Sequence, residues 1–307
     1  MKRVAPWKNR RHLVQSHSER YNELIMTKYP STDDDERNYQ RPSTVETAKT
    51  AAHISNTGTL SYTTNINGSD ATVQFGRFVY YSLDDKGWPI LLFPFASNEF
   101  KNGSAVSLCC DATHFNHFDS SVALGRVTFS GTISTIHPDN LFSTKNAFLR
   151  RCRSLTSSIE SPTAQICKLK PSGIYFVKHS GRECWLDVTE YEMCENSLLA
   201  DDLCSLVNKY NTENKKDLQR MCKHIIGENV SPNDQIRVLG IDKFGINIQI
   251  IPQIISDPLF ATNEYSSSTE CRRVGFENRV HNVEDVKSEL AKIFQESWEK
   301  EQSLLSK

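Results

Sequence analysis

Apolar and polar residues alternate in short bursts between residues 58 and 178, and turn formers bound each burst. The runs 58–63, 75–83, 89–95, 105–110, 126–133 and 174–178 are rich in β-branched and aromatic residues and read as strands. Asn67-Gly68 and Asp84-Asp85-Lys86-Gly87 fall between them and read as hairpin turns. Six strands at this spacing predict a barrel or a sandwich. Helical spacing comes in three places around them. Val45, Ala48, Ala51, Ala52 and Ile54 predict a short helix over 44–55, stopped by Asn56-Thr57-Gly58. A second helix is predicted over 147–159. A long third one covers 198–226, with Leu203, Leu206, Val207, Tyr210, Leu218, Met221 and Ile225 along one face.

The C-terminal third has its own pattern. Residues 238–250 alternate on both sides of Asp242-Lys243-Phe244-Gly245, a hairpin whose Gly245 stands where a turn asks for positive φ. A third strand is predicted at 272–276, after a Ser-rich insertion at 257–269. Asn282 then reads as an N-cap with Asp285 three residues on, and Val283, Val286, Leu290, Ile293 and Phe294 recur at helical spacing. The opposite face of that helix, Glu284, Lys287, Glu289, Lys292 and Glu296, is expected to meet solvent. The order helix, hairpin, strand, helix predicts a small α+β unit. The chain thus divides into an arm at 1–43, a β-rich domain at 44–192 and a C-terminal domain at 196–302. The arm is too polar to bury much surface and is predicted to be disordered.

Composition narrows the partners. A net charge of −1 over 307 residues offers no global attraction to nucleic acid or to an anionic membrane. No apolar run reaches the roughly 18 residues of a spanning helix, so a soluble protein is expected. The nine cysteines have neither a disulfide framework nor zinc-module spacing, which predicts reduced thiols and a cytoplasmic location. Lys2, Arg3, Lys8, Arg10, Arg11 and Arg20 against the single acid Glu19 give the alternative, an organelle reached after cleavage of a basic N-terminus.

No nucleophile elbow, phosphate loop, His-Glu-x-x-His or Cys-x-x-Cys is present, so no catalytic residue and no metal site are assigned. Cys109-Cys110 followed by His114 and His117 gathers metal-capable groups. However, neighbouring strand residues point to opposite faces, so the two thiols do not share a site. Asp201-Asp202 are expected to cap the helix that follows them.

Thr47-Ala48-Lys49 leading to Gly58-Thr59-Leu60-Ser61, then Gly87 to Leu92, Ala105-Val106-Ser107-Leu108 and Arg126-Val127-Thr128-Phe129-Ser130-Gly131 follow one another in a familiar order. That order resembles the pyridoxamine-phosphate oxidase-like split-barrel superfamily. With the C-terminal unit, it resembles the branch of HugZ-type haem-utilisation proteins and glutamyl-tRNA-reductase-binding proteins. The resemblance implies an α+β fold, a split β-barrel followed by a small helix, three-stranded sheet and helix. It further implies a homodimer linked to tetrapyrrole metabolism that binds haem or a partner protein, without classical flavin catalysis. The alternatives it carries are an FMN-dependent oxidoreductase and a HugZ-like haem-degrading oxygenase. A flavin phosphate would fall to Arg77, Ser97 and Lys101, although Glu99 beside them is repulsive. For haem, His114, His117 and His281 are the axial candidates and Arg77, Arg126 and Lys101 the propionate partners. The His-Met-Asn-x-x-His stretch of such relatives is Lys209-Tyr210-Asn211-Thr212-Glu213-Asn214 here. Both histidines are gone, and Asn211 is left as a structural hydrogen-bonder.

Overall fold

The computed structural model describes residues 40–65, 72–93, 102–112, 123–151, 155–161, 163–195, 197–252 and 270–306. Six antiparallel strands close a barrel: β1 (Thr57–Asn65), β2 (Thr72–Leu83), β3 (Pro89–Phe93), β4 (Ala105–Ala112), β5 (Gly125–Thr135) and β6 (Gln165–Lys178). The ladder runs β3-β2-β1-β4-β5-β6, and β3 pairs back onto β6. A four-residue strand, β7 (Glu183–Leu186), borders β6 further along the edge that also takes β3. The barrel is therefore split: one edge of β6 is shared by two strands. Five of the six predicted strands match one element each. The sixth, at 174–178, is only the second half of β6. Its first half was hidden by Lys168, Lys170 and Pro171, a poor strand sequence. Pro171 is tolerated because the register slips there, with Ser130 opposite Gly173 and Gly131 opposite Pro171. Gly131 is required, since a Cβ on it would lie 2.0 Å from the Lys170 carbonyl oxygen.

Alternation decides what each barrel strand buries. Leu60, Val106, Leu108, Cys110, Val127, Phe129, Ile174 and Phe176 fill the interior. Helix α1 (Thr44–Ile54) adds Val45, Ala48, Ala51 and Ala52 to the same cluster, and the Tyr81 hydroxyl donates to the Ala52 carbonyl at 2.6 Å. Small side chains let this helix approach the strands closely. Ser43 and Glu46 form a reciprocal capping box at its start. Lys49, 1% exposed, donates to the carbonyls of Tyr191, Glu192 and Cys194 at the end of α4 (Val188–Met193). An ammonium there serves the negative end of a helix. Two further helices, α2 (Pro138–Arg151) and α3 (Thr156–Glu160), cover β3 from outside through Phe148, Leu155 and Ile159. The helix predicted over 147–159 is thus two. The first begins nine residues earlier, at a proline suited to the first helical position.

The C-terminal unit pairs β8 (Gln235–Asp242), β9 (Gly245–Ile251) and β10 (Glu270–Gly275) in the order β10-β9-β8. Helices α5 (Leu203–Glu213), α6 (Lys215–Met221) and α7 (Val283–Leu305) pack with this sheet around a second apolar cluster. The long helix predicted over 198–226 is broken. Asn214 takes φ −112° and ψ 27°, its N–H bonds the Tyr210 carbonyl, and its side-chain amide donates to Asp217 at 3.1 Å. A π-helical turn, Cys222–Ile226, then buries Cys222 and Ile226. The hairpin turn is where the pattern placed it, but Gly245 is not among the glycines with positive φ. Its need is closeness: a Cβ would lie 2.2 Å from the Val274 carbonyl oxygen on β10. Asn282 caps α7 through the Asp285 N–H at 2.9 Å, as its position predicts.

Polar bonds and shared apolar side chains join the units among the described residues. Lys243, in the β8–β9 turn, pairs with Glu46 of α1. Arg273 forks onto Asp242 with both contacts at 2.8 Å and also donates to the Gln40 carbonyl at 3.0 Å. The Ala123 N–H donates to the Leu239 carbonyl, and His53 meets Asp201 at 2.7 Å. Ile54 and Leu124 pack against both clusters. Asp201 is therefore a bridge rather than a helix cap, and Asp202 makes no side-chain cap either.

Glu289 departs from the solvent face predicted for α7. It is 5% exposed and accepts from the N–H groups of Glu277 and Asn278 at 3.0 and 3.3 Å, the Asn278 side chain at 3.2 Å and Lys292 at 2.6 Å. Burial alone would raise its pKa, but these donors win and hold it below the ordinary value of 4.5. A carboxylate whose pKa falls on folding stabilises the fold above its unfolded pKa and loses that contribution as pH drops through the folded one. Glu289→Ala should therefore cost on the order of 3 kcal/mol at neutral pH. In urea titrations at falling pH, the gap to wild type should narrow below the ordinary value of 4.5. Asn211 anchors β8 by donating to the Val238 carbonyl at 3.0 Å and accepting its N–H at 2.7 Å, beside the bulge between Val238 and Gly240. Asn211→Ala should lower stability by about 2 kcal/mol, read as a lower denaturant midpoint.

Candidate functional site

The outer wall of the barrel has two unlike parts. Where α2 and α3 lie, it is apolar; elsewhere nothing among the described residues covers it. The uncovered part presents the outward residues of β2, β1, β4, β5, β6 and β7 as continuous cross-strand rows. One row runs Phe78, Thr59, Cys109, Thr128, Tyr175, Trp185, each in register with the next. Beside it runs Gly76, Ser61, Ser107, Ser130, Gly173, in which the hydroxyls of Ser107 and Ser130 meet at 2.8 Å. On the other side Asp111, Arg126, Val177 and Glu183 line up. Five inter-strand steps of about 4.8 Å make this wall about 24 Å wide. Its centre carries only short side chains and its margins carry rings. Phe78 is 63% exposed and Trp185 69%.

The two margins differ. Phe78 meets Tyr80 edge-on at 5.4 Å. Trp185 lies 5.0 Å from the Tyr175 ring, and its six-membered ring passes over Gly173, where a Cβ would come within 3.2 Å. The Glu183 carboxylate, diagonal to Tyr175 across β6 and β7, pushes the phenol's pKa up. Arg126 contacts Asp111 at 3.6 Å, with both side chains substantially in solvent. An ion pair so exposed contributes under about 1 kcal/mol.

The residues proposed from sequence are dispersed. Arg126 stands on the bare wall. Arg77 is in register with Leu60, hence on the core side of the sheet, and its guanidinium lies 5.7 Å from the Phe93 ring centroid. The two arginines therefore face opposite sides of the sheet. Ser97, Lys101, His114 and His117 lie outside the described residues, as do the Asn67-Gly68 turn and the 257–269 insertion. His281 precedes the cap of α7 and is exposed. Cys109 and Cys110 do face opposite ways, with Cys110 buried in the core.

Among the described residues, no group of three His, Cys, Asp or Glu could hold a metal ion, and no helix is long and apolar enough to cross a membrane. The eight described cysteines are free, and burial pushes Cys167 to about 11 and Cys222 to about 12, so both are thiols at neutral pH. Sequence reasoning missed Phe78, Tyr175 and Trp185. Their signal was available: in Ile174-Tyr-Phe-Val177 and Glu183-Cys-Trp-Leu186, alternation turns the tyrosine and the tryptophan outward.

The family described as "CREG, beta-barrel" matches residues 40–193. A heme-binding protein from Mycobacterium smegmatis has a similar structure, with TM-score 0.53 and 18% identity over 85% of this chain and 99% of that one. That likeness takes in both units of the fold. A protein of unknown function from Agrobacterium tumefaciens matches with TM-score 0.37 and 16% identity, over 83% and 97%. Campylobacter jejuni ChuZ matches with TM-score 0.36 and 16% identity, over 49% and 62%. No curated protein matches.

Since Arg126 is only loosely paired, Arg126→Gln should leave the thermal midpoint within about 2 °C of wild type. A larger drop in a melting curve would make it a structural residue.

Proposed function

The chain belongs to the CREG β-barrel family, and from that premise we propose that it is a haem-binding protein of tetrapyrrole metabolism, acting as a homodimer through the bare barrel wall. The observation that carries this reading is the wall itself. A barrel exterior is convex, so two copies touch best along a ridge of short side chains, here Thr59, Ser61, Ser107, Cys109 and Thr128. Larger side chains are useful only at the margins, where two convex surfaces part, and Phe78 and Trp185 stand there. A C2 pair uses one patch twice, which suits a wall holding both Arg126 and Asp111.

A porphyrin asks for a flat apolar surface, cations for its carboxylates and an axial ligand for iron. The described residues answer the first two demands through the exposed rings and Arg126; the third is assigned to His114 or His117 from the sequence alone. Bound haem would supply a redox-active iron, and this chain's own part is to hold and orient it. FMN is the alternative ligand. It needs several donors around its phosphate, and the one described member of that set, Arg77, is turned toward Phe93. The heme-binding protein from Mycobacterium smegmatis supports the fold in which this ligand is proposed, not the ligand.

The test is absorbance of the purified full chain titrated separately with hemin and FMN, with light-scattering mass. The expected result is a saturable Soret shift, no flavin uptake and twice the 34.9 kDa chain mass. Ser107→Arg, which places a large cation on the ridge, should give a monomer. A flavin spectrum, or no response to hemin, overturns the haem reading, and a monomeric wild type overturns the interface.

A further inference from the structure

The β6–β7 margin carries more detail than a dimer contact requires. Trp185 sits on a four-residue edge strand with 69% of its surface in solvent, so it adds little to any core. Yet its ring is positioned: Tyr175 flanks it at 5.0 Å and Gly173 leaves the space beneath it. The Tyr175 ring is held in place by register, being directly opposite Trp185, with Glu183 diagonal to it on the same face. Arg126 is on the same face, one row away, in register with Val177 while Tyr175 is in register with Thr128. The guanidinium is thus a diagonal neighbour of the tyrosine, about 7–8 Å away between backbones. Its ion pair among the described residues runs from Nε to Asp111 at 3.6 Å and does not use the terminal nitrogens.

We propose that Tyr175 and Trp185 form a stacking platform for a planar aromatic carboxylate, with Arg126 taking the carboxylate and Gly173 kept small so that the indole can lie flat. Charge and shape select this occupant. The exposed face of the indole, walled by the Tyr175 ring tilted 53° to it and standing beside a guanidinium, complements a flat anion, whereas the polar ridge of β1 and β4 offers no ring to stack on. The proposal rests on the haem reading above and deepens it, since the macrocycle would be gripped through its face and its acid groups independently of iron.

The experiment titrates the full chain with hemin, metal-free protoporphyrin IX and protoporphyrin dimethyl ester, following ligand absorbance and tryptophan quenching. Trp185→Ala should weaken all three by about tenfold, with Trp185→Phe within about threefold of wild type. Arg126→Gln should weaken protoporphyrin by about tenfold and leave the ester unchanged. Gly173→Val, which crowds the indole, should behave like Trp185→Ala. Because Trp185 is exposed, its variants are expected to melt like wild type, and light scattering checks the dimer. If wild type binds hemin and Trp185→Ala binds it equally well, the platform is wrong and the haem reading stands. Loss of dimer mass in Trp185→Ala with unchanged affinity makes the indole a subunit contact and also overturns the platform. If wild type binds none of the three, both readings fall.

Discussion

Closure of the barrel depends on β3, a strand buried along its whole length. Leu91 and Phe93 point into the barrel, while Ile90 and Leu92 point out beneath α2 and α3. Covering the outside of β3 is what lets a five-residue strand join β2 to β6, and among the described residues it uses the only helices that lie against the outer wall. Everything else on that wall is left to the alternation of the remaining strands. The bare wall, with its row of hydroxyls and its exposed rings, follows directly from where the cover stops.

Legibility in the sequence followed how local each cause is. Alternation and turn chemistry are local, so the barrel strands, the Asp242 to Gly245 hairpin and the Asn282 cap could be read from residues a few positions apart. Causes acting across the fold could not. The start of β6 was obscured because Pro171 is acceptable only opposite the bulge at Gly131. Gly245 was expected to serve a turn and instead makes room for Val274 on another strand. Glu289 looked like one more charge on a solvated face, because the two N–H groups that hold it belong to the loop after β10.

The candidate site divides in the same way. The outward placement of Arg126 follows from strand position, and the opposite orientations of Cys109 and Cys110 from the period of two. Arg77 seemed a natural companion of Arg126 because both are basic residues on barrel strands. Cross-strand register is what separates them, since one aligns with Leu60 and the other with Val177. The aromatic margin went unnoticed because a tyrosine and a tryptophan on strands are read as core residues until partners are counted.

Glu46 takes part in two different bonds. One carboxylate oxygen accepts the Ser43 N–H and so starts α1; the other accepts Lys243 from the C-terminal hairpin. The same helix then supplies the alanine face that completes the barrel core. Undocking the hairpin therefore loosens the nucleation of a helix that the other unit needs, and fraying that helix releases the hairpin. Through this shared element the stability of the barrel core and that of the C-terminal core each depend on the other.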